Sequence, residues 1–152
     1  MAVRRTLDRM RALDRAWNER RWDDYAEFLD EAMTAHGDGD FGPVGKRQHI
    51  EQVMGFCSTF PDARLHTTPY VELFSSHDGL HSCSIARLTG TAHGAPSPPQ
   101  GEDPDPASLR RPFNVLRLAV CRWDRGWIVD YRLHLDTALM LRQLRTSGGA
   151  SA

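Results

Sequence analysis

Residues 113–136 read FNVLRLAVCRWDRGWIVDYRLHLD, two runs rich in β-branched, aromatic and leucine residues on either side of Asp124-Arg125-Gly126. A short polar turn ending in glycine between two such runs is the mark of a β-hairpin, and the spacing predicts strands over 113–123 and 127–135. In the second run Asp130, Arg132, His134 and Asp136 alternate with Tyr131, Leu133 and Leu135, so a strand there has one polar and one apolar face.

Moving back along the chain, a period of two over 65–74, a turn at His77-Asp78-Gly79 and a return over 82–91 predict a second long hairpin. Between the hairpins, residues 95–111 carry five of the nine prolines together with Glu102, Asp103 and Asp105, which reads as an extended acidic loop. Beyond Asp136, residues 137–144 predict a short closing helix and 146–152 a flexible tail.

The first third has a different period. Val3, Leu7, Met10, Leu13 and Trp17 make one stripe of a helix over 3–18, with Arg4, Arg11 and Arg15 and the acids Asp8 and Asp14 on its wetter side. Trp22, Tyr25, Phe28 and Leu29 make a second helical stripe, residues 33–36 a short strand, and Gly37-Asp38-Gly39-Asp40 with Gly42-Pro43 a turn. A third helix spans 46–60, with Pro61-Asp62 ending it. Helices followed by a run of strands is an α+β order, and it argues against a parallel sheet.

Composition bounds the function. The 152 residues, 40% apolar and 26% charged, fit one globular domain over 1–152 with its core at about 6–145. Nineteen basic against twenty acidic side chains give a net charge of -1, so nothing in the charge balance recruits nucleic acid or an anionic membrane. Cys57, Cys83 and Cys121 are odd in number and widely spaced, and the seven histidines have no partner at metal-ligand spacing. These features predict no disulfide framework, no metal, no cofactor motif and a cytoplasmic protein. No segment is long and apolar enough to be a membrane span.

Several stretches in this order resemble one known family. His36 in Thr-Ala-His-Gly, Phe60-Pro61-Asp62, Gly90-Thr91, Arg122 followed by Asp124-Arg125-Gly126-Trp127-Ile128-Val129, and Asp136 ahead of Leu141-Arg142-Gln143-Leu144 are similar to the SnoaL-like polyketide cyclases, within the nuclear-transport-factor-2-like superfamily. The resemblance spans about residues 6–145. It implies a curved antiparallel sheet forming a cone or half-barrel, closed by about three N-terminal helices and a short C-terminal one. It also implies a small enzyme without cofactor, commonly a homodimer, that closes a ring of an aromatic polyketide by an intramolecular aldol reaction. Two positions depart from the family pattern: Ala92 stands where a histidine usually follows Gly-Thr, with His93 one place later, and Arg132 stands where an aromatic residue precedes the carboxylate.

The polar face of the last strand is the candidate catalytic set. In the resemblance Asp136 takes the acid/base position; Arg132 and His134 are candidate donors to a developing oxyanion, with Arg132 better suited to clamp a substrate oxygen or Asp130. Candidate substrate contacts are His36 and His93 at strand ends, Tyr70 and Asn114 within strands, and Trp17 and Phe56 on helical stripes. A structural reading stands beside each: Asp136 directly precedes a helix and suits an N-cap, the polar face suits a wet surface or a subunit contact, and the aromatic stripes suit a core. Trp123 and Trp127, flanking a hairpin tip, are candidate interface anchors.

Three functions fit these residues. The first is a cyclase or isomerase acting by acid/base catalysis on a hydrophobic, carbonyl-rich small molecule. The second is epoxide hydrolysis or epoxide-opening cyclisation on Asp130, Arg132 and Asp136, and the third a ligand-binding or dimerisation module without chemistry.

Overall fold

The computed structural model describes residues 1–37, 42–93 and 110–146. The turn residues Asp38, Gly39 and Asp40, nearly all of the acidic proline-rich segment 95–111, and the tail from 147 lie outside the described residues. Among the described residues, four helices and six strands run in the order α1 (Ala2–Asn18), α2 (Trp22–Glu27), β1 (Leu29–His36), α3 (Lys46–Thr59), β2 (Arg64–His66), β3 (Glu72–Ser75), β4 (His81–His93), β5 (Arg110–Asp124), β6 (Trp127–Leu135) and α4 (Thr137–Thr146).

The six strands form one open sheet in the order β1-β6-β5-β4-β2, with β3 also paired to β4. The α+β class and the helices at both ends of the chain follow the sequence reading, with one difference in the sheet. β1 lies parallel to β6, in the register Thr34↔Asp130, Ala35↔Tyr131 and His36↔Arg132, so the sheet is mixed. Helix α3 and the two hairpins separate β1 from β6 in sequence, and this long connection is what a parallel pair requires.

The two hairpins have different turns. At the β5–β6 tip Arg125 and Gly126 both have positive φ, 52° and 87°, the geometry that suits the right-handed twist of a two-residue turn. The run over 65–74, read as one strand, is two: β2 and β3 are separated by residues 67–71, where the Thr68-Pro69 peptide is cis. A proline has no N–H for the ladder, so the strand breaks there. Leu29, counted in the second helical stripe, instead starts β1, which is longer than the four residues expected.

Helix α1 packs on one face of the sheet through Met10, Leu13 and Trp17, all buried against a core that includes Leu88, Val115 and Ala119. Its C-terminal residue Asn18 acts as a strand surrogate: its Nδ2 donates to the Leu65 carbonyl and the Leu65 N–H donates to its Oδ1, both at 2.8 Å. Along β5 the buried residues are Phe113, Val115, Arg117, Ala119, Cys121 and Trp123. The odd-numbered parity therefore faces the helices, and an arginine stands in the middle of it.

Asp14 is a correction of the same kind. Instead of sitting on the wet side of α1 it is 3% exposed, because a 3.6-residue period puts it between Met10 and Trp17 on the packed side. Trp123, a candidate interface anchor, is also buried, with Nε1 donating to Ser82 Oγ at 2.9 Å, while Trp127 stays exposed.

Candidate functional site

The helix-covered side of the sheet is hollow. An inner cavity of about 170 Å³ is lined on its apolar side by Trp17, Val53, Phe56, Leu65 and Leu88. Beside it an outer hollow of about 290 Å³ opens past Ala35, His36, Gly37, Gly42, Val44 and Thr137. His49, Gln52, Tyr131, Leu133 and Leu135 line both and form the wall they share.

The side of β6 that builds this wall is the apolar one. Tyr131, Leu133 and Leu135 line the hollow, so the covered cavity lies on the face of β6 opposite to its polar one. Arg132 and His134 are exposed on the far face. Arg132 Nε donates to Asp130 Oδ2 at 2.9 Å, which is the clamp on Asp130. Burial works against the charge of Asp130, but Arg132 and His36 outweigh it and hold the carboxyl below its usual value.

Asp136 is exposed and caps α4, accepting the Leu139 N–H on Oδ1 at 3.0 Å. It is not among the residues lining either hollow. Of the other candidates, Trp17 and Phe56 line the inner cavity, with ring centroids 6.3 Å apart. His36 stands at the lip of the outer hollow with Nε2 3.2 Å from Asp130 Oδ1. Tyr70 donates to Asp14 Oδ2 at 2.8 Å. His93 ends β4 opposite Arg110, and its side chain falls outside the described part. Asn114 has the solvent-facing parity of β5 and lines neither hollow; its backbone N–H donates to Gln143 Oε1 at 2.8 Å. Its predicted parity followed Leu116 and Leu118, which are only half-buried, whereas Phe113 and Val115 carry the core.

Two polar clusters stand at the cavity; Tyr70 and Arg117 are positions where the sequence allows a cavity lining, while the pairing of Arg117 with Asp14 and of His49 with Tyr25 has no signal there. In the first, Arg117 Nη2 donates to Asp14 Oδ1 at 2.8 Å and Nη1 to Ser84 Oγ at 3.1 Å, while Tyr70 occupies the second Asp14 oxygen. Both side chains of the pair are about 5% exposed or less.

In the second, the Tyr25 hydroxyl lies 2.9 Å from His49 Nε2, and the His49 ring centroid lies 4.7 Å from that of Tyr131. Burial pushes the His49 imidazole down to about 4, so it is uncharged at neutral pH. Burial also pushes the Tyr25 and Tyr131 phenols up, so both remain protonated hydrogen-bond donors. The signals for these groups were a carboxylate inside an apolar helical stripe and an arginine at a core parity of a strand.

A single sheet covered by N-terminal helices, with a short helix after the last strand, is the architecture the resemblance implied. The family model for SnoaL-like polyketide cyclases matches residues 7–144. The chain belongs to that family. No curated protein matches it. Among solved structures, a proposed polyketide cyclase from Xanthomonas campestris superposes with a TM-score of 0.76 at 14% identity, over 95% of this chain and 99% of that one. IdmH, a proposed polyketide cyclase from Streptomyces antibioticus, superposes at 0.72 with 21% identity, over 91% and 97%. A Mycobacterium tuberculosis epoxide hydrolase superposes at 0.67 with 14% identity, over 99% and 96%. At these identities the likeness is one of fold. Among the described residues of this SnoaL-like chain, no three His, Cys, Asp or Glu side chains are grouped to hold a metal ion, and no helix is long and apolar enough to cross a membrane.

Proposed function

We propose that this SnoaL-like chain is a cyclase or isomerase that acts on a hydrophobic, carbonyl-bearing small molecule inside the helix-covered cavity, with His49 as the proton carrier. The observation that carries this reading is the neutral, buried His49 in the wall shared by both hollows, with Tyr131 against its ring and Tyr25 on Nε2. In the reaction Nδ1 of His49, whose Nε2–H is donated to the Tyr25 oxygen, takes a proton from the carbon next to a substrate carbonyl. The Tyr131 hydroxyl and the Gln52 amide donate to the enolate oxygen, and the imidazolium returns the proton to the alkoxide once the new carbon–carbon bond has formed.

A buried imidazole is a weak base at rest. Its cation becomes favourable only when an anion forms beside it, so the pair is stabilised more in the transition state than in the ground state. Asp136 takes no part in this scheme; its carboxylate serves α4. Loss of about a hundredfold or more in turnover in His49→Gln, with Asp136→Asn unchanged, is the expected result. The reverse pattern would return the proton transfer to Asp136.

A second reading rests on the Asp14–Arg117 pair, a carboxylate and a guanidinium in the cavity wall with Tyr70 beside them. These groups suit water activation on an epoxide. Incorporation of solvent oxygen into a diol product, abolished in Asp14→Asn, separates that chemistry from the aldol route.

The far face of the sheet supports a homodimer. Phe74, Cys83 and Val120 are in register across β3, β4 and β5, and Phe74 and Val120 are 52% and 40% exposed. Ile85 and Leu118 continue the apolar band one step along. A second copy laid on this face removes it from water. The three free cysteines suit a cytoplasmic setting.

A further inference from the structure

Resting on the cavity reading above, we propose that the ligand of this site is a neutral compound with a single apolar ring, the ring seated in the inner cavity and a carbonyl at the shared wall of His49, Gln52 and Tyr131. Size is the first argument. The inner cavity, about 170 Å³, is close to an apolar cavity of about 150 Å³ that accepts benzene. Val53, Phe56, Leu65 and Leu88 line it outside the shared wall, and they come from three elements, α3, β2 and β4. A second fused ring has to displace one of them, at the cost of overpacking a dense interior.

Charge is the second. The cavity does contain a cation and an anion, but they are spent on each other: Asp14 receives Arg117 on one oxygen and Tyr70 on the other, and Arg117 gives its second terminal nitrogen to Ser84. A ligand carboxylate or ammonium entering here loses its hydration and meets no uncompensated charge among the described residues that line the inner cavity. A carbonyl fares differently. Its single oxygen needs one or two donors, and the Tyr131 hydroxyl and Gln52 amide stand in the wall it reaches.

The outer hollow then takes what is attached to the carbonyl. Its lip is made by Gly37, Gly42, Val44 and Thr137, which suits a short chain leading to solvent.

Three probes separate these arguments: acetophenone, 2-acetylnaphthalene and benzoate, each titrated calorimetrically into the full chain, with methyl NMR shifts read at Val53 and Leu88 on the inner side and at Val44 on the outer. Acetophenone is expected to bind and shift Val53 and Leu88. The two-ring ketone and benzoate are expected to bind about tenfold more weakly or worse. Val53→Phe, at a half-buried position that tolerates the larger side chain, is expected to abolish acetophenone binding, and Leu88→Ala to bring 2-acetylnaphthalene up to the affinity of the one-ring ketone.

Equal or tighter binding of 2-acetylnaphthalene or of benzoate overturns the proposal, as does binding by none of the three or shifts confined to Val44. These outcomes are read as binding to the unmodified chain, so a preference for one neutral ring upholds the proposal even where the turnover of His49→Gln defeats the catalytic reading, and its absence removes the proposal even where that reading stands.

Discussion

Arg117 on β5 and Asp14 on α1 are 103 residues apart and meet at 2.8 Å in the wall of the cavity. Burial disfavours the Arg117 charge; Asp14 more than reverses this and raises its pKa, so the guanidinium stays charged at any pH the fold survives. The pair fastens the first helix to the centre of the sheet, and the Tyr70 hydroxyl ties the segment between β2 and β3 to the same carboxylate. One ion pair thus sets the distance between helix and sheet, and with it the depth of the hollow.

Removing one member of this pair leaves the other charged, buried and unpaired. Arg117→Met and Asp14→Asn are each expected to lower unfolding free energy by about 3–5 kcal/mol, and the double replacement Asp14→Leu with Arg117→Met to recover most of that loss. Urea unfolding of the four proteins is the measurement. Additive losses in the double variant would show that the two side chains are not acting as a pair.

Gly90 is a packing glycine. A Cβ placed on it comes within 2.6 Å of Phe113 Cζ, and Phe113 is held by Phe56 and Phe60 at centroid distances of 6.4 and 5.0 Å. Because the ring has nowhere to retreat, Gly90→Ala is expected to cost about 1–3 kcal/mol. Thermal unfolding checks this; the variant Phe113→Leu, which opens the space, is expected to tolerate Gly90→Ala better than the native chain does.

Asp136 stabilises α4 by accepting the Leu139 N–H. Asp136→Ala is expected to lower stability by about 1 kcal/mol, with Asp136→Asn retaining most of the cap. Hydrogen exchange of the first-turn amides of α4 reads the effect locally. A loss in turnover without a change in exchange would point to chemistry at this carboxylate.

The fold was legible because its signals are periodic and redundant. Alternation over 113–135 set a long hairpin, and the stripe Val3, Leu7, Met10, Leu13, Trp17 set α1, independently of any distant partner. The cavity that carries the proposed site was less legible because it depends on which side of a strand is covered. The alternation in 130–136 is symmetrical: it says that Tyr131, Leu133 and Leu135 share a face, not whether the helices or solvent lie over it. Polar residues on the other face were then the natural candidates, although those that line the cavity are polar exceptions among apolar neighbours. Asp14 within the Met10–Trp17 stripe and Arg117 between Val115 and Ala119 are opposite charges at core positions, and two such exceptions can be buried only as partners. The parallel pairing of β1 with β6 had no local signal, since it joins segments separated by most of the chain.

The far face of the sheet gives a test of assembly. Val120→Arg places a charge at the β5 end of the Phe74, Cys83 and Val120 row while leaving the cavity untouched. Sedimentation equilibrium is expected to show a dimer for the native chain and a monomer for the variant. A native monomer across micromolar concentrations would remove the proposed interface.

His49 makes stability depend on pH in a defined direction. Its imidazole titrates near 6.5 when the chain is unfolded and near 4 in the fold, because burial disfavours the cation. Between these values the unfolded chain binds the extra proton and the folded one does not, so the contribution of this group is complete above about pH 6.5 and is lost as pH falls toward 4. At about 1.4 kcal/mol per unit, the loss over that window is about 3 kcal/mol. His49→Gln keeps a polar side chain near Tyr25 and has no proton to take up. The difference in unfolding free energy between native and variant chains, measured from pH 4 to 7, is therefore expected to shift against the native chain as pH falls. A flat difference would mean that His49 is solvated in the fold, and a solvated imidazole would lose the link between its charging and the formation of an enolate beside it.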